Sequence, residues 1–185
     1  AHYVRFSFAC KVLKLKNNET EKSFLSLINK LIEKNKIING NAKIHVNRSG
    51  EGKYLPVSDS LELLISINKG SSFAKNTPIS LCVFSDEQKT KGKISNIKSV
   101  NALVSVLGAI HAKENGFDNA ILKNTEGNFI ETTNANLFII KQGIIYTPPL
   151  TEGCLDGTMR KWVLEQVNVI EKSLNPLDIK EADEV

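Results

Sequence analysis

The sequence predicts an α+β protein, because helical and strand periodicities both occur along the chain. At residues 20–38, apolar side chains recur at the spacing of an amphipathic helix. Three short β-like runs follow, at 42–48, 61–68 and 79–84. Residues 85–93 are polar and have no period, which is typical of a linker.

The remainder of the chain again combines helices and strands. A helix is predicted at 100–115, with Gly116 as its C-terminal stop, and a second helix begins near Asp156. A third helix begins at Asn175-Pro176. Strands are predicted at 120–123, 129–132, 137–141, 144–146 and 169–173. We therefore predict two domains joined by the linker, at 1–84 and 94–185.

The composition excludes several classes of protein. Of 185 residues, 41% are hydrophobic and 24% charged, which is ordinary for a globular protein. No apolar run approaches the roughly 18 residues of a membrane span, and the net charge of +4 is spread over scattered lysines. The three cysteines are widely spaced, and no cluster has metal-ligand spacing. We expect a cytoplasmic protein that binds no nucleic acid, no membrane and no metal.

One stretch of the second predicted domain combines a carboxylate at a strand end with a glycine at a helix start. Glu131 ends a predicted strand, and the small-polar run at 132–136 follows it. A strand pair then leads to Gly157-Thr158-Met159-Arg160 at the start of a predicted helix. A carboxylate can hold a protonated pyridine nitrogen, and a glycine-led helix start can hold a phosphate. The pattern therefore suits a cofactor that carries both groups.

These residues resemble the class IV aminotransferase family, the fold-type IV enzymes that use pyridoxal 5'-phosphate (PLP). The stretch from Ala112 to Asp118 is similar to the family's helix end, and the match is densest from Ile94 to Arg160. The resemblance implies a small N-terminal α+β domain, a larger C-terminal pseudo-barrel domain and a homodimer. It also implies that both ends of the family's chain are missing here.

The resemblance assigns the main chemical roles. Lys98 is the expected catalytic residue, forming a Schiff base with PLP. Glu131 is the expected partner of the pyridine nitrogen. The expected phosphate cup is Gly157, Thr158 and Met159.

Five further residues receive roles in the same way. Arg5 is expected to reach the PLP phosphate, and Leu103 is a cofactor neighbour on the helix after Lys98. Arg48, Lys53 and Asn134 are weaker candidates for binding a small-molecule amino substrate. Lysine would hold a substrate carboxylate less well than arginine, because it cannot bind bidentately.

The family contains several reactions, and two positions favour one of them. Leu103 stands where branched-chain enzymes usually have tyrosine, and Met159 where aminotransferases usually have threonine. Both favour 4-amino-4-deoxychorismate lyase, which releases 4-aminobenzoate and pyruvate. The alternatives are a branched-chain or D-amino-acid aminotransferase and, in another class, a non-catalytic relative or a basic binding module.

Overall fold

The structure of the protein is a computed structural model that describes residues 1–70 and 77–185. Contacts within the chain define two units, Ala1–Thr77 and Pro78–Val185. Among the described residues, no helix has both the length and the apolar character required to cross a membrane.

In the part of the first unit that the structure describes, there are two helices and a two-stranded antiparallel sheet. Its elements are α1 (His2–Val12), α2 (Glu21–Lys34), β1 (Gly40–Arg48) and β2 (Leu61–Lys69). Thr20 caps α2, because the Ser23 N–H donates to its Oγ1 at 3.2 Å. Phe24 on α2 is buried against the rings of Tyr3 and Phe6.

The second unit contains two three-stranded sheets and three helices. The first sheet has the order β3-β4-β5, and the second has the order β6-β7-β8. Along the chain the elements are β3 (Leu81–Lys89), α3 (Leu103–Glu114), β4 (Asn119–Asn124), β5 (Phe129–Thr132), β6 (Ile139–Lys141), β7 (Ile144–Thr147), a 3₁₀ turn (Leu150–Glu152), α4 (Thr158–Gln166), β8 (Val169–Glu171) and α5 (Pro176–Lys180).

Strand β4 lies between the two hydrophobic clusters of the second unit. Ala120 and Leu122 belong to one cluster, while Ile121 belongs to the other, as the alternation of side chains along a strand requires. Helix α3 packs closely on this strand, since a Cβ added at Gly108 would lie 2.9 Å from Cδ2 of Leu122. This core fixes β5, and therefore Glu131, beside β4.

The predicted helices and strands are present, and the α+β class is confirmed. The segment at 85–93 differs from the prediction, because β3 continues to Lys89 instead of giving way to a linker. Lys89 still pairs with Asn124 of β4 beyond an irregularity in the ladder. The division between the units falls at Thr77 and Pro78, whereas the predicted domain limits are 84 and 94.

Candidate active site

Glu131 lies on β5 and is buried, with 5% of its surface exposed. Its Oε2 accepts a hydrogen bond from the Leu155 N–H at 2.7 Å, and its Oε1 forms an ion pair with the Lys89 ammonium. A buried carboxylate is stable only when hydrogen bonds and a counter-charge replace water. Both requirements are met here, so the carboxylate is held in one orientation.

The turn after Glu131 is organised by Asn119, a buried residue at the start of β4. The Asn119 Oδ1 accepts from the Thr133 hydroxyl at 2.6 Å, and its Nδ2 donates to Asn134 Oδ1 at 2.9 Å. The Thr132 N–H donates to the Ala135 carbonyl at 2.8 Å, which closes the turn. Asn134 is exposed at its tip.

Residues 154–157 form a segment that contacts several parts of the site. Leu155 donates its N–H to Glu131 and accepts a hydrogen bond from Asn136 Nδ2 at 2.8 Å. Asn136 also lies tightly against Gly157, where an added Cβ would come within 1.9 Å of the Asn136 Oδ1. A larger residue at 157 would displace an amide that is already hydrogen bonded. The 154–157 segment therefore joins the buried carboxylate to the start of α4.

The N-terminus of α4 is open in the way a phosphate site requires. Gly157 is its N-cap, and no side chain within residues 1–70 and 77–185 caps the first turn. The first amide N–H groups of a helix have no partner within the helix, and the helix dipole favours an anion there. Thr158 is the first residue of α4, and Met159 is exposed.

Arg160 does not contribute to a phosphate site at the start of α4, because its side chain points into the protein. It is 3% exposed, its Nη2 donates to the Pro148 carbonyl at 2.9 Å, and it forms an ion pair with Glu171. Its Nε has no hydrogen-bond partner among the residues described. Arg160 thus holds α4 against Pro148, which follows β7, and against Glu171, the last residue of β8.

The segment that carries Lys98 is attached to the same 154–157 segment. The Asn96 Nδ2 donates to the carbonyls of Leu150 at 2.9 Å and Cys154 at 2.6 Å, and the Asp156 N–H donates to the Asn96 carbonyl at 3.2 Å. Lys98 itself is exposed and makes no hydrogen bond or ion pair with the described part of the chain.

Lys98 and Leu103 both lie at the approach to α3. Lys98 precedes that helix in an irregular stretch. Leu103 is the first residue of the helix and is 71% exposed. Neither side chain packs in the interior, so both are accessible to a ligand.

Glu152 precedes the 154–157 segment and fixes the turn that leads into it. Burial would raise the pKa of this carboxyl, but the Ser173, Asn128, Lys91 and Asn124 side chains hydrogen bond to it and lower its pKa from 4.5 to about 2. Ser173 donates at 2.7 Å and Asn128 at 3.0 Å, while the Lys91 ammonium lies 3.2 Å away. Glu152 is therefore a charged anchor beneath the site.

The remaining predicted residues lie in the first unit. Arg5 is on α1. Arg48, at the end of β1, donates to the carbonyls of Leu13 and Ser58, the latter at 3.1 Å. Its guanidinium is thus engaged with the backbone of its own unit. Lys53 is exposed in the connection between β1 and β2.

The residues of the second unit fit PLP. The buried Glu131 carboxylate suits a protonated ring nitrogen, and the uncapped start of α4, which tolerates only glycine at 157, suits a phosphate. No group of three or more His, Cys, Asp or Glu side chains within the described ranges is placed to hold a metal ion.

Four contributors to this arrangement were absent from the sequence-based prediction: Lys89, Asn96, Asn119 and Glu152. Lys89 lies in the segment that the sequence predicts to be a linker, so no structural role is predicted for it. Asn96 could have been predicted from the sequence, because it lies two residues before Lys98 and a polar residue close to a functional side chain can hold it in position. Asn119 and Glu152 carry no signal of their own, since their roles depend on contacts distant in sequence.

Comparison with known families identifies the class of protein to which this fold belongs. The model of the family described as amino-transferase class IV matches residues 1–185. The chain therefore belongs to the class IV aminotransferase family, whose members use PLP.

Individual relatives carry the names of different reactions. A putative branched-chain-amino-acid aminotransferase of Methanocaldococcus jannaschii is 38% identical over 94 residues, covering 48% of this chain and 33% of that protein. A D-alanine aminotransferase of Staphylococcus epidermidis is 25% identical over 192 residues, covering 100% of this chain and 67% of that protein. The chain thus spans between a third and two thirds of the length of these relatives.

A solved structure shows the same fold. The crystal structure of a putative 4-amino-4-deoxychorismate lyase from Legionella pneumophila matches with a TM-score of 0.90 and 24% identity. It covers 98% of this chain and 69% of that one. The prediction of a fold-type IV architecture is confirmed.

Proposed function

We propose that the protein to which this chain belongs is a PLP-dependent enzyme that acts on an amino acid or a related amine. One observation carries the proposal: the 154–157 segment joins the buried Glu131 to the uncapped start of α4. The same segment binds Asn96, two residues before Lys98. A pyridine-binding group, a phosphate-binding group and a candidate amine are thus attached to one short stretch of backbone.

Each residue has a distinct task in this proposal. The bound cofactor supplies an electron-accepting ring for the reaction. Glu131 accepts a hydrogen bond from the ring nitrogen and balances its positive charge. The amides at the start of α4 and the Thr158 hydroxyl hold the phosphate. The Lys98 Nζ would hold the cofactor by condensing with its aldehyde, with loss of water, and, once the substrate amine had displaced it, would take the proton from the carbon that carries that amine.

Within this class we favour 4-amino-4-deoxychorismate lyase. Leu103 leaves the entrance to α3 without a tyrosine hydroxyl, and Met159 places an apolar side chain at the helix start. In the lyase reaction, removal of the proton by Lys98 is followed by loss of pyruvate and formation of an aromatic ring. Asn134, exposed on the turn after Glu131, is a candidate for contact with substrate.

The alternative is an aminotransferase, which the names of the curated relatives favour. In that reaction, the Lys98 Nζ would return the proton to a carbon of the cofactor, and water would then release a 2-oxo acid while the amino group stayed with the cofactor. The early proton transfer is the same in both reactions, which is why the shared residues do not separate them.

A homodimer is part of the proposal. Several apolar side chains along α3 and just before it are exposed: Val100, Val106, Leu107 and Ile110. Exposed apolar surface of this kind is typical of a protein–protein interface.

A substrate assay on the full-length protein separates the two reactions. We expect 4-aminobenzoate and pyruvate from 4-amino-4-deoxychorismate, measured by fluorescence and by lactate dehydrogenase coupling. Glutamate formed from 2-oxoglutarate with leucine or D-alanine, without any 4-aminobenzoate, would replace the lyase proposal by the aminotransferase.

A further inference from the structure

Lys89 is the last residue of β3, yet its ammonium reaches Glu131 on β5. The order β3-β4-β5 places one strand between them, so the long lysine side chain crosses β4 to make the contact. The Glu131 side chain is 7% exposed and that of Lys89 is 19% exposed. The pair thus lies at the edge of the interior, with the carboxylate on the inner side.

Glu131 needs this lysine while no ligand is present. A buried carboxylate without a counter-charge is strongly unfavourable, and one backbone hydrogen bond does not replace the water that it has lost. Among the described residues, Lys89 is the ion-pair partner of Glu131, and the Leu155 N–H supplies its other contact. The Lys89 ammonium is therefore the counter-charge that lets the Glu131 carboxylate lie in the interior.

We infer that Lys89 is the resident counter-ion of Glu131, and that the pyridine nitrogen of PLP takes the carboxylate over from it. The inference rests on the proposed function. Two cations would otherwise compete for one carboxylate, and repulsion between them favours the departure of the more mobile one. The flexible stem of Lys89 lets its ammonium turn towards solvent. Lys89 is therefore a positioning residue for Glu131.

This exchange couples the ion pair to cofactor binding. When Lys89 is neutralised, the cofactor-free protein contains a buried carboxylate with no counter-ion, whereas the PLP-bound protein regains a cation at the ring. Lys89→Met should therefore destabilise the cofactor-free state more than the bound state. A purely structural role for Lys89 would destabilise both states equally.

The test is thermal unfolding of the full-length protein with and without saturating PLP. We expect PLP to raise the Tm of Lys89→Met by about 2–4 °C more than that of the wild type. Lys89→Arg keeps the charge and should behave like the wild type. Lys141→Met is the matched control, because Lys141 also forms an ion pair, with the exposed Glu181, outside the site; its response to PLP should equal that of the wild type.

The outcomes separate this inference from the proposed function. An equal or smaller rise of Tm in Lys89→Met than in the wild type overturns the exchange. No rise and no change in the visible spectrum of the wild type overturns the proposed function, and the exchange with it. If Lys89→Met does not fold, adding Glu131→Gln removes the unpaired charge; restored folding supports the pairing, and continued failure contradicts it.

Discussion

Glu131 and Glu152 are both buried carboxylates, but their surroundings give them different tasks. Four side chains hydrogen bond to Glu152, which leaves its oxygens saturated. Glu131 has one backbone N–H and one lysine, so its oxygens have room for another donor. We therefore interpret Glu152 as an anchor of the backbone and Glu131 as a group that binds a ligand.

The anchoring role of Glu152 predicts a particular dependence of stability on pH. Because its pKa is about 2 in the folded protein and 4.5 when unperturbed, the ionised form stabilises the fold above pH 4.5. This contribution, on the order of 3 kcal/mol, should disappear as the pH falls from 4.5 towards 2. Glu152→Gln should lower the free energy of unfolding at pH 7 and remove this part of the acid sensitivity.

Urea unfolding of the cofactor-free protein at pH 7 and pH 3 measures both effects. Glu181→Gln is a suitable control, because Glu181 is mostly exposed and its ion pair with Lys141 should contribute little. The interpretation fails if Glu152→Gln loses as much stability between pH 7 and pH 3 as the wild type does.

Among the structural elements, the irregular segments do more to assemble the site than the helices and strands. Asn96 attaches the stretch before α3 to the 3₁₀ turn and to the 154–157 segment through both its side chain and its backbone. These hydrogen bonds hold together two stretches of the chain that lie far apart in sequence. The position of Lys98 relative to the other groups therefore depends on Asn96.

Replacing Asn96 tests this dependence. Asn96→Ala would leave the Leu150 and Cys154 carbonyls without their side-chain donor, which should cost about 1–3 kcal/mol of stability. It should also weaken the retention of PLP on dialysis, measured from the visible absorption. Asn115→Ala is the control, since the Asn115 side-chain amide donates to the carbonyl of His111 in an exposed position. Equal PLP retention in the two variants would exclude a positioning role for Asn96.

The sequence predicts most of the regular elements because their signals are local, but it does not predict α1 (His2–Val12). Alternation and helical spacing depend on neighbouring residues, and the strand at 129–132 and the helix start at Asn175-Pro176 follow directly from them. The second half of β3 was not predicted, because its polar residues are held by pairing with β4, which lies far along the chain. The ion pair of Lys89 with Glu131 is equally nonlocal.

The candidate site also contains some residues with a local sequence signal and others whose role depends on nonlocal contacts. Glu131 and Gly157 are recognisable from the sequence, because a carboxylate at a strand end and a glycine at a helix start have chemical meaning by themselves. The hydrogen bonds that support them are not recognisable from the sequence, since Asn119 and Asn96 bind turns that are distant in sequence and that only the fold brings close to them.

At the scale of the whole molecule, the candidate cofactor-binding groups divide between the two units. The second unit holds Lys98, Glu131 and the start of α4, and its contacts explain how these groups are positioned. The first unit holds Arg5, Arg48 and Lys53, whose roles remain predictions from the resemblance. Because the chain spans 33% of one relative and 67% of another, activity is best tested on the full-length protein.

The central claim is that Lys98 binds PLP in a site built around Glu131. The most direct test is the visible absorption spectrum of the full-length protein after PLP addition and dialysis, for the wild type, Lys98→Ala and Lys93→Ala. Lys93 is a nearby exposed lysine to which no role is assigned. We predict a band of protein-bound PLP in the wild type and in Lys93→Ala that is absent from Lys98→Ala. A band that persists in Lys98→Ala, or no band in any of the three proteins, would contradict the account.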